Sequence, residues 1–262
     1  MTFVRPGLPL PPSVSVREVR LAFRGQPLFA GLDLTLEAGQ WTCLLGPSGV
    51  GKSSLLRLIA GLAPPDASAS ILCSDGAPLR GRAAYMAQQD LLLPWLTALG
   101  NVMLGPRLRR ERTHHPATIE RARSLLAQVG LAGKERRRPA ELSGGERQRV
   151  ALARTLMEDR PVVLMDEPFS ALDAVTRYRL QALAAELLAG RTVLLVTHDP
   201  LEALRLGHRI HVMSGRPARL DEPLEPAGLP PRDAREGRLL QLQGELLSRL
   251  VAASETEAGA AA

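Results

Sequence analysis

The sequence predicts an α/β fold: a mainly parallel core of strands alternating with helices, interrupted by a helical insert. Three observations carry this. WTCLLG (41–46) is a short unbroken apolar run, as a strand covered on both faces requires. Strand–helix alternation recurs in the last third of the chain, with PVVLMD (161–166) and TVLLVTH (192–198) as apolar strands. Between about 97 and 158 the period is helical instead.

The elements follow in order. VSVREVRLAF (14–23) and LDLTL (32–36) alternate as strands, and EAGQ turns the chain into the 41–46 strand. Residues 51–62 read as a helix with Leu55, Leu58, Ile59 and Leu62 on one face, ended by Pro64 and Pro65. Strands are expected at 69–73 and 83–87. LGNVML, TIERARSLLAQVGL and ERQRVALARTLM are the helices of the insert. A helix over 174–189, a strand at 192–198, a short helix LEALRLG and small strands RIHVM and ARL follow. The segment 233–252 is a last amphipathic helix, aligning Leu239, Leu242, Leu246 and Leu250. The expected organisation is a Pro-broken flexible lead over 1–12, a main domain over 13–227 with the helical part at about 89–158, a C-terminal helix over 228–252, and a disordered low-complexity tail over 253–262.

A chain of 262 residues is long enough for a sizeable core, and 45% hydrophobic content is that of a soluble globular protein. With 8 aromatic residues the core must be built from Leu, Val and Ala. No run of 18 apolar residues occurs, so no membrane span is expected, and the N-terminus lacks the continuous apolar stretch of a secretory signal. Cys43 and Cys73 fit either a disulfide or a buried reduced pair, and the second suits a cytoplasmic protein. No zinc-ligand spacing is present.

The net charge is +6, and 31 of the 33 basic residues are arginines, clustered in RLRRER (107–112) and KERRR (134–138). A solvated face, contact with lipid headgroups or an acidic partner, and nucleic acid are the three readings. No aromatic residues interleave these charges as a base-stacking surface requires, so nucleic acid is not the expected partner.

GPSGVGKS (46–53) matches G-x-x-x-x-G-K-[ST], after an apolar strand and at the start of a helix. Gly46, Pro47, Ser48, Gly49, Val50 and Gly51 form a loop whose backbone N–H groups can face phosphate oxygens, and the helix adds its positive end. Lys52 can reach the β- and γ-phosphates of a nucleotide, and the Ser53 hydroxyl can ligate Mg²⁺, with Ser54 beside it. One of only two lysines in the chain stands at the required place. VVLMDEPFSALD (162–173) puts Asp166 and Glu167 at the end of an apolar strand. Neighbouring strand residues face opposite sides, so two adjacent acids take different work: Asp166 the metal, Glu167 the attacking water. His198 ends the strand TVLLVTH, where ligands of open parallel sheets bind, and can donate to the γ-phosphate. His114 and His115 read as solvated, His208 and His211 as structural.

A second potential phosphate cradle, LSGGERQR (142–149), opens another helix about ninety residues beyond the first. Taken together these motifs resemble the ATP-binding subunit of an ABC transporter over roughly residues 14–220. GPSGVGKSS is similar to that family's Walker A motif, LSGGERQR to its signature, LMDE to Walker B, SALD to its D-loop, and His198 to its switch histidine. The resemblance implies a P-loop cassette fold with an antiparallel β subdomain beside the parallel core and a helical subdomain insert, binding ATP and Mg²⁺. It implies that Gln88, six residues before Pro94, is the glutamine of the Q-loop, contacting Mg²⁺ or the water, although Gln89 stands where an acid is commoner and the register could instead fall on Gln89. Phe23 resembles the aromatic residue that stacks on adenine, with plain core as its alternative. In the family two cassettes close head to tail, so Leu142, Ser143, Gly144, Gly145 and Glu146 of one chain would complete the site of the other, flanked by the D-loop residues Ser170, Ala171, Leu172 and Asp173. That arrangement accounts for two cradles in one chain.

The same resemblance implies an ATPase driving import as a homodimer, on the cytoplasmic face of the cell membrane, through separate transmembrane subunits and, indirectly, an external substrate-binding protein. LLPWLTALGNV and PPRDAREGRLLQLQGELL are similar to the subgroup serving nitrate, sulfonate, taurine or pyrimidine thiamine-precursor uptake. The rival is a soluble ABC ATPase acting on nucleic acid or ribosomes, against which stands the lack of a long coiled-coil insertion or a second cassette.

Overall fold

The computed structural model describes residues 11–63, 67–111 and 115–260, with the side chains of 257–260 left aside. In chain order the strands and helices are β1 (Val14–Phe23), β2 (Gln26–Leu36), β3 (Trp41–Leu45), α1 (Lys52–Ile59), β4 (Ser68–Cys73), β5 (Ala83–Met86), α2 (Ala98–Val102), α3 (Leu104–Leu108), α4 (Pro116–Gln128), α5 (Gly144–Met157), β6 (Val162–Asp166), α6 (Ala174–Leu187), β7 (Thr192–Val196), α7 (Pro200–Leu206), β8 (Arg209–Ser214), β9 (Arg219–Leu220) and α8 (Gly237–Ala260). They divide into two compact units, one of residues 1–83, 161–166 and 189–262, the other of 84–160 and 167–188.

The first unit holds two sheets. β1 pairs antiparallel with β2 on one side and β4 on the other. Its inward residues Val14, Val16, Val19 and Leu21 are buried, so the alternation seen in the sequence is the alternation of the sheet's two faces. The second sheet runs β6, β7, β3, β8, β9, parallel throughout except at β9. β3, β6 and β7 are buried at every position, which is why they read as unbroken apolar runs. α1 packs on β6 and β7, and α7 and α8 pack on β3 and β8 respectively. Cys43 lies in β3 and Cys73 ends β4, both buried and both free thiols. Burial raises the thiol pKa of each, so neither is a reactive thiolate.

The second unit is helical. α5 packs against α2 and α4, and its residues Val150, Ala151, Leu152 and Ala153 are buried. Asn101, fully buried in α2, accepts from Leu93 N–H and donates to the carbonyls of Leu93, Leu96 and Thr97, which folds the LLPWLT segment back on its helix. The helical insert expected at about 89–158 lies in this unit, which also takes in residues 167–188. Several arginines of the two clusters are ion-paired, Arg109 with Glu111 and Glu158, and Arg137 with Glu141.

Three expectations change. α1 stops at Ile59, not 62. Gly61 turns left-handed at φ 73°, Leu62 N–H returns to Arg57 O at 2.8 Å, and Leu62 is thereby 58% exposed rather than on the apolar face. The expected stop at Pro64 and Pro65 lies outside the described residues, as do His114 and most of the 1–12 lead. β2 begins at Gln26, because Pro27 to Ala30 pair with the second half of β1. The segment 253–260, expected as a disordered tail, continues α8. Its Ala and Glu are strong helix formers, and the hydroxyls of Ser254 and Thr256 bond to carbonyls one turn back. His115 is exposed, as expected, and its Nδ1 also accepts from Ala117 N–H and caps α4.

Candidate functional site

In the first unit three adjacent parallel strands end side by side, and each end carries an expected site residue. β3 runs into the loop 46–54, β7 ends just before His198, and β6 ends at Asp166. The C-terminal edge of a parallel sheet is where such folds bind ligands.

The loop is fixed by its glycines. Gly46 has φ 148°, and a Cβ there would lie 2.5 Å from Met213 O, so only glycine lets the loop leave β3 against β8. Gly51 has φ 113°, and a Cβ there would meet the Phe29 ring at 2.9 Å. Val50 is fully buried and anchors the loop, while Ser48 and Gly49 face solvent. Lys52 is 7% exposed, and its Nζ donates to Gly46 O and Pro47 O, each at 2.7 Å. The ammonium is thus held across the mouth of the loop at the N-terminus of α1, where backbone N–H groups already favour an anion. Ser53 and Ser54 are half-buried in the first turn of α1.

Asp166 is buried at 1% exposure on the strand against which α1 packs. A carboxylate there and the Ser53 hydroxyl are both hard oxygen donors, a set that fits Mg²⁺. His198 is exposed, in the one-residue step between buried Thr197 and half-buried Asp199. That step is rigid. Thr197 N–H extends the sheet to Leu44 O at 3.2 Å, and Asp199 caps α7 through Leu201 N–H and Glu202 N–H. Phe23, at the end of β1, is 52% exposed and does not lie in the core. His208 and His211 are tied to backbone, His208 Nδ1 accepting from Trp41 N–H at 3.0 Å and His211 Nδ1 lying 3.0 Å from Asp221 O. Burial lowers the pKa of both.

The second unit carries the other expected residues. Glu167 has φ 47°, a left-handed backbone that a non-glycine residue adopts at a cost and that marks functional turns. Gln88 Nε2 donates to Glu167 Oε2 at 3.2 Å, while Gln89 is exposed and makes no such bond. The structure therefore brings Gln88, not Gln89, to the acid. Ser170 Oγ donates to Glu167 O at 3.0 Å, closing the turn that follows. Asp173 caps α6, accepting from Thr176 N–H, which lowers its pKa.

At the start of α5, Ser143 Oγ accepts from Glu146 N–H at 3.2 Å and Glu146 Oε2 accepts from Ser143 N–H at 2.8 Å. This reciprocal cap leaves Ser143 and Gly144 exposed at a helix N-terminus. Lys134 pairs with Glu146. A Cβ at Gly145 would lie 3.4 Å from Ala171 O, so the backbones of the expected signature and D-loop run close together.

The family described as ABC transporter matches residues 29–170, more than half of the chain. An ABC transporter ATP-binding protein of Haemophilus influenzae is 44% identical over 240 residues, spanning 90% of this chain and 98% of the relative. The chain belongs to the ABC transporter ATP-binding family.

The cassette is also 45% identical over 234 residues to the aliphatic sulfonates import ATP-binding protein SsuB 1 of Rhodococcus jostii, spanning 88% of this chain and 90% of that one. Among solved structures it is similar to the ATP-binding cassette MJ0796, in a dimeric post-hydrolysis state bound to ADP and Pi. There the TM-score is 0.73 at 28% identity, over 82% of this chain and all of that one. The P-loop cassette fold and the ATPase class expected from the motifs are those of the family.

Sequence reading missed the residues that hold the segment carrying Gln88. Asp90 Oδ2 accepts from Arg147 Nε at 2.9 Å, Arg154 donates to the carbonyls of Asp90 and Leu91, and Gln148 Nε2 donates to Pro168 O at 3.2 Å. One signal was available. Arg147 and Arg154 are seven apart on a helix, hence on one face, and an acid follows the two glutamines.

Proposed function

We propose that this cassette powers the import of an aliphatic sulfonate, closing on a second copy when ATP binds and driving separate transmembrane subunits from the cytoplasmic face of the cell membrane. The observation that carries the reading is the sheet edge of the first unit. There the Lys52 loop, Asp166 and His198 stand at the ends of three adjacent parallel strands. Among the described residues no helix is long and apolar enough to cross a membrane.

Each residue then has a task. The loop 46–54 and the N-terminus of α1 hold the phosphates, Lys52 pairs with the terminal ones, and Phe23 offers an exposed ring face to the adenine. Ser53 and Asp166 would hold Mg²⁺, which neutralises charge on the phosphate oxygens when bound. Glu167 takes the proton of the attacking water, and Gln88, hydrogen-bonded to that carboxylate, orients it. His198 donates to the γ-phosphate oxygens as charge builds there.

Ser143, Gly144 and Gly145, at a capped and exposed helix start, suit the nucleotide of the opposing cassette. The carbonyl of Ala171, in the expected D-loop, lies 3.4 Å from the Cβ position of Gly145. ATP then joins the two copies, and hydrolysis to ADP removes the γ-phosphate contacts that favour the closed state. The dimeric form of MJ0796 with ADP and Pi supports this cycle. The sulfonate assignment rests on relatives named for aliphatic sulfonate import in Rhodococcus jostii and Nocardia farcinica. Selectivity itself would lie in the membrane subunits and an external binding protein.

The test is a tagged Glu167→Gln chain expressed in its source cell, solubilised gently with ATP and purified. Recovery of a multi-span membrane protein, together with loss of sulfonate-dependent growth when the gene is deleted, is the expected result. Recovery from the soluble fraction with ribosomes or nucleic acid would overturn it.

A further inference from the structure

We propose that Arg147 is a positioning residue that, through Asp90, ties the signature turn to the glutamine loop so that the two move as one body. The inference rests on the reading above, in which Ser143 completes the opposing site and Gln88 serves its own.

The geometry is that of a strut. Arg147 Nη1 donates to Leu142 O at 2.9 Å, the carbonyl immediately before Ser143. Its Nε donates at 2.9 Å to Asp90 Oδ2, two residues after Gln88. A planar guanidinium makes both bonds at once in a fixed fork, which a lysine ammonium on a flexible stem does not reproduce. The other oxygen of Asp90 accepts from Leu92 N–H at 3.1 Å, so the carboxylate also closes the turn that Leu91, at φ 45°, initiates. Two helical turns further along α5, Arg154 grips the same turn through Asp90 O at 2.6 Å and Leu91 O at 2.9 Å. Gln148 holds Pro168 O, next to Glu167.

One helix therefore grips the segment that carries Gln88 and the residue that follows Glu167, while its own first turn presents Ser143. The Arg147 and Asp90 side chains are 37% and 28% exposed, and a half-exposed ion pair adds little to stability. Its consequence is geometric. A shift of the glutamine loop pulls on Leu142 O through a guanidinium, without passing through the core. A contiguous chain of side-chain hydrogen bonds with defined contacts at both ends can carry coupling between two sites.

The experiment is a double-mutant cycle of Asp90→Asn and Arg147→Gln, with Arg147→Lys as a third variant. It is read first by amide hydrogen exchange on the full chain. Asp90→Asn should speed exchange over residues 143–147 by about fivefold to thirtyfold, the range of a typical coupling between contacting residues. Exchange over 150–156 should not change. The double variant should exchange no faster than Arg147→Gln alone, and Arg147→Lys should fail to restore protection. In a Glu167→Gln background the ATP concentration for half-maximal dimerisation should rise by a similar factor in Asp90→Asn.

Unchanged exchange at 143–147 in Asp90→Asn, or strictly additive effects in the cycle, would overturn the strut. If the Glu167→Gln chain with Asp90 and Arg147 intact does not dimerise with ATP, the functional reading fails, and the exchange arm still decides the strut on its own.

Discussion

At the scale of single residues, the site is a set of side chains held where free solution would not keep them. Glu167 is the clearest case, because its left-handed backbone and the Gln88 bond fix a carboxylate at the end of a strand. If it is the general base, Glu167→Gln should lower kcat by about 10²–10⁴-fold. ATP affinity should persist, since the phosphate donors belong to the loop 46–54. Phosphate release beside equilibrium ATP binding measures the two effects separately, and a joint loss would assign Glu167 to binding instead. Glu146 supports a second prediction. Lys134 first, and then Ser143 N–H, hold its carboxyl at about 2, below the usual 4.5. A carboxyl depressed in the folded state stabilises the fold above its unfolded pKa and loses that contribution as pH falls towards the folded one. Glu146→Gln should therefore be less stable than the natural chain at neutral pH, with a gap that narrows below pH 4.5. Urea midpoints along an acid series check this, and a gap that stays constant on acidification would refute it.

At the scale of elements, what could be read in the sequence follows burial. β3, β6 and β7 are buried on both faces, so their composition is forced and their positions were plain. The phosphate loop was plain for a different reason: a backbone that must approach both a ligand and Met213 O accepts only glycine at Gly46. Features set by long-range hydrogen bonds were not legible. Asp90 lies fifty-seven residues from Arg147, and no local pattern says that they meet. The end of α1 was misplaced because Leu62 continues the apolar spacing past Gly61, whose left-handed backbone turns the chain out of the helix. α8 shows both cases. Its buried stripe of Leu239 and Leu246 was visible as heptad-like spacing, and its continuation through Ala253, buried at 4%, was hidden in a low-complexity tail. Leu246 is fully buried, so Leu246→Ala should cost about 2–5 kcal/mol. A chemical denaturation midpoint gives the answer, and a change below 1 kcal/mol would mean that α8 is not docked in solution.

At the scale of the whole molecule, the two cradles make different demands on ATP, and stability can separate them. ATP held by the loop 46–54 of one copy stabilises that copy by mass action, about 2.7 kcal/mol at a hundred times Kd. For a chain of this size that is roughly 5–10 °C in melting temperature, whatever the protein concentration. ATP that also meets the signature of a second copy adds a term that depends on how many copies are present, because the closed dimer is favoured by concentration. In the Glu167→Gln chain, which should keep its ATP, the melting temperature in saturating ATP should climb as protein concentration rises. In the same chain with Ser143→Arg, a bulky cation at the exposed helix start should abolish the climb and leave the fixed increment. With Lys52→Ala both parts should vanish, since the ammonium that spans the loop mouth is gone. Melting curves across a protein dilution series, with and without ATP, distinguish these outcomes. An increment independent of concentration in the chain with Ser143 intact would mean that the LSGGERQR segment serves no second nucleotide, and the import cycle built on it would have to be abandoned.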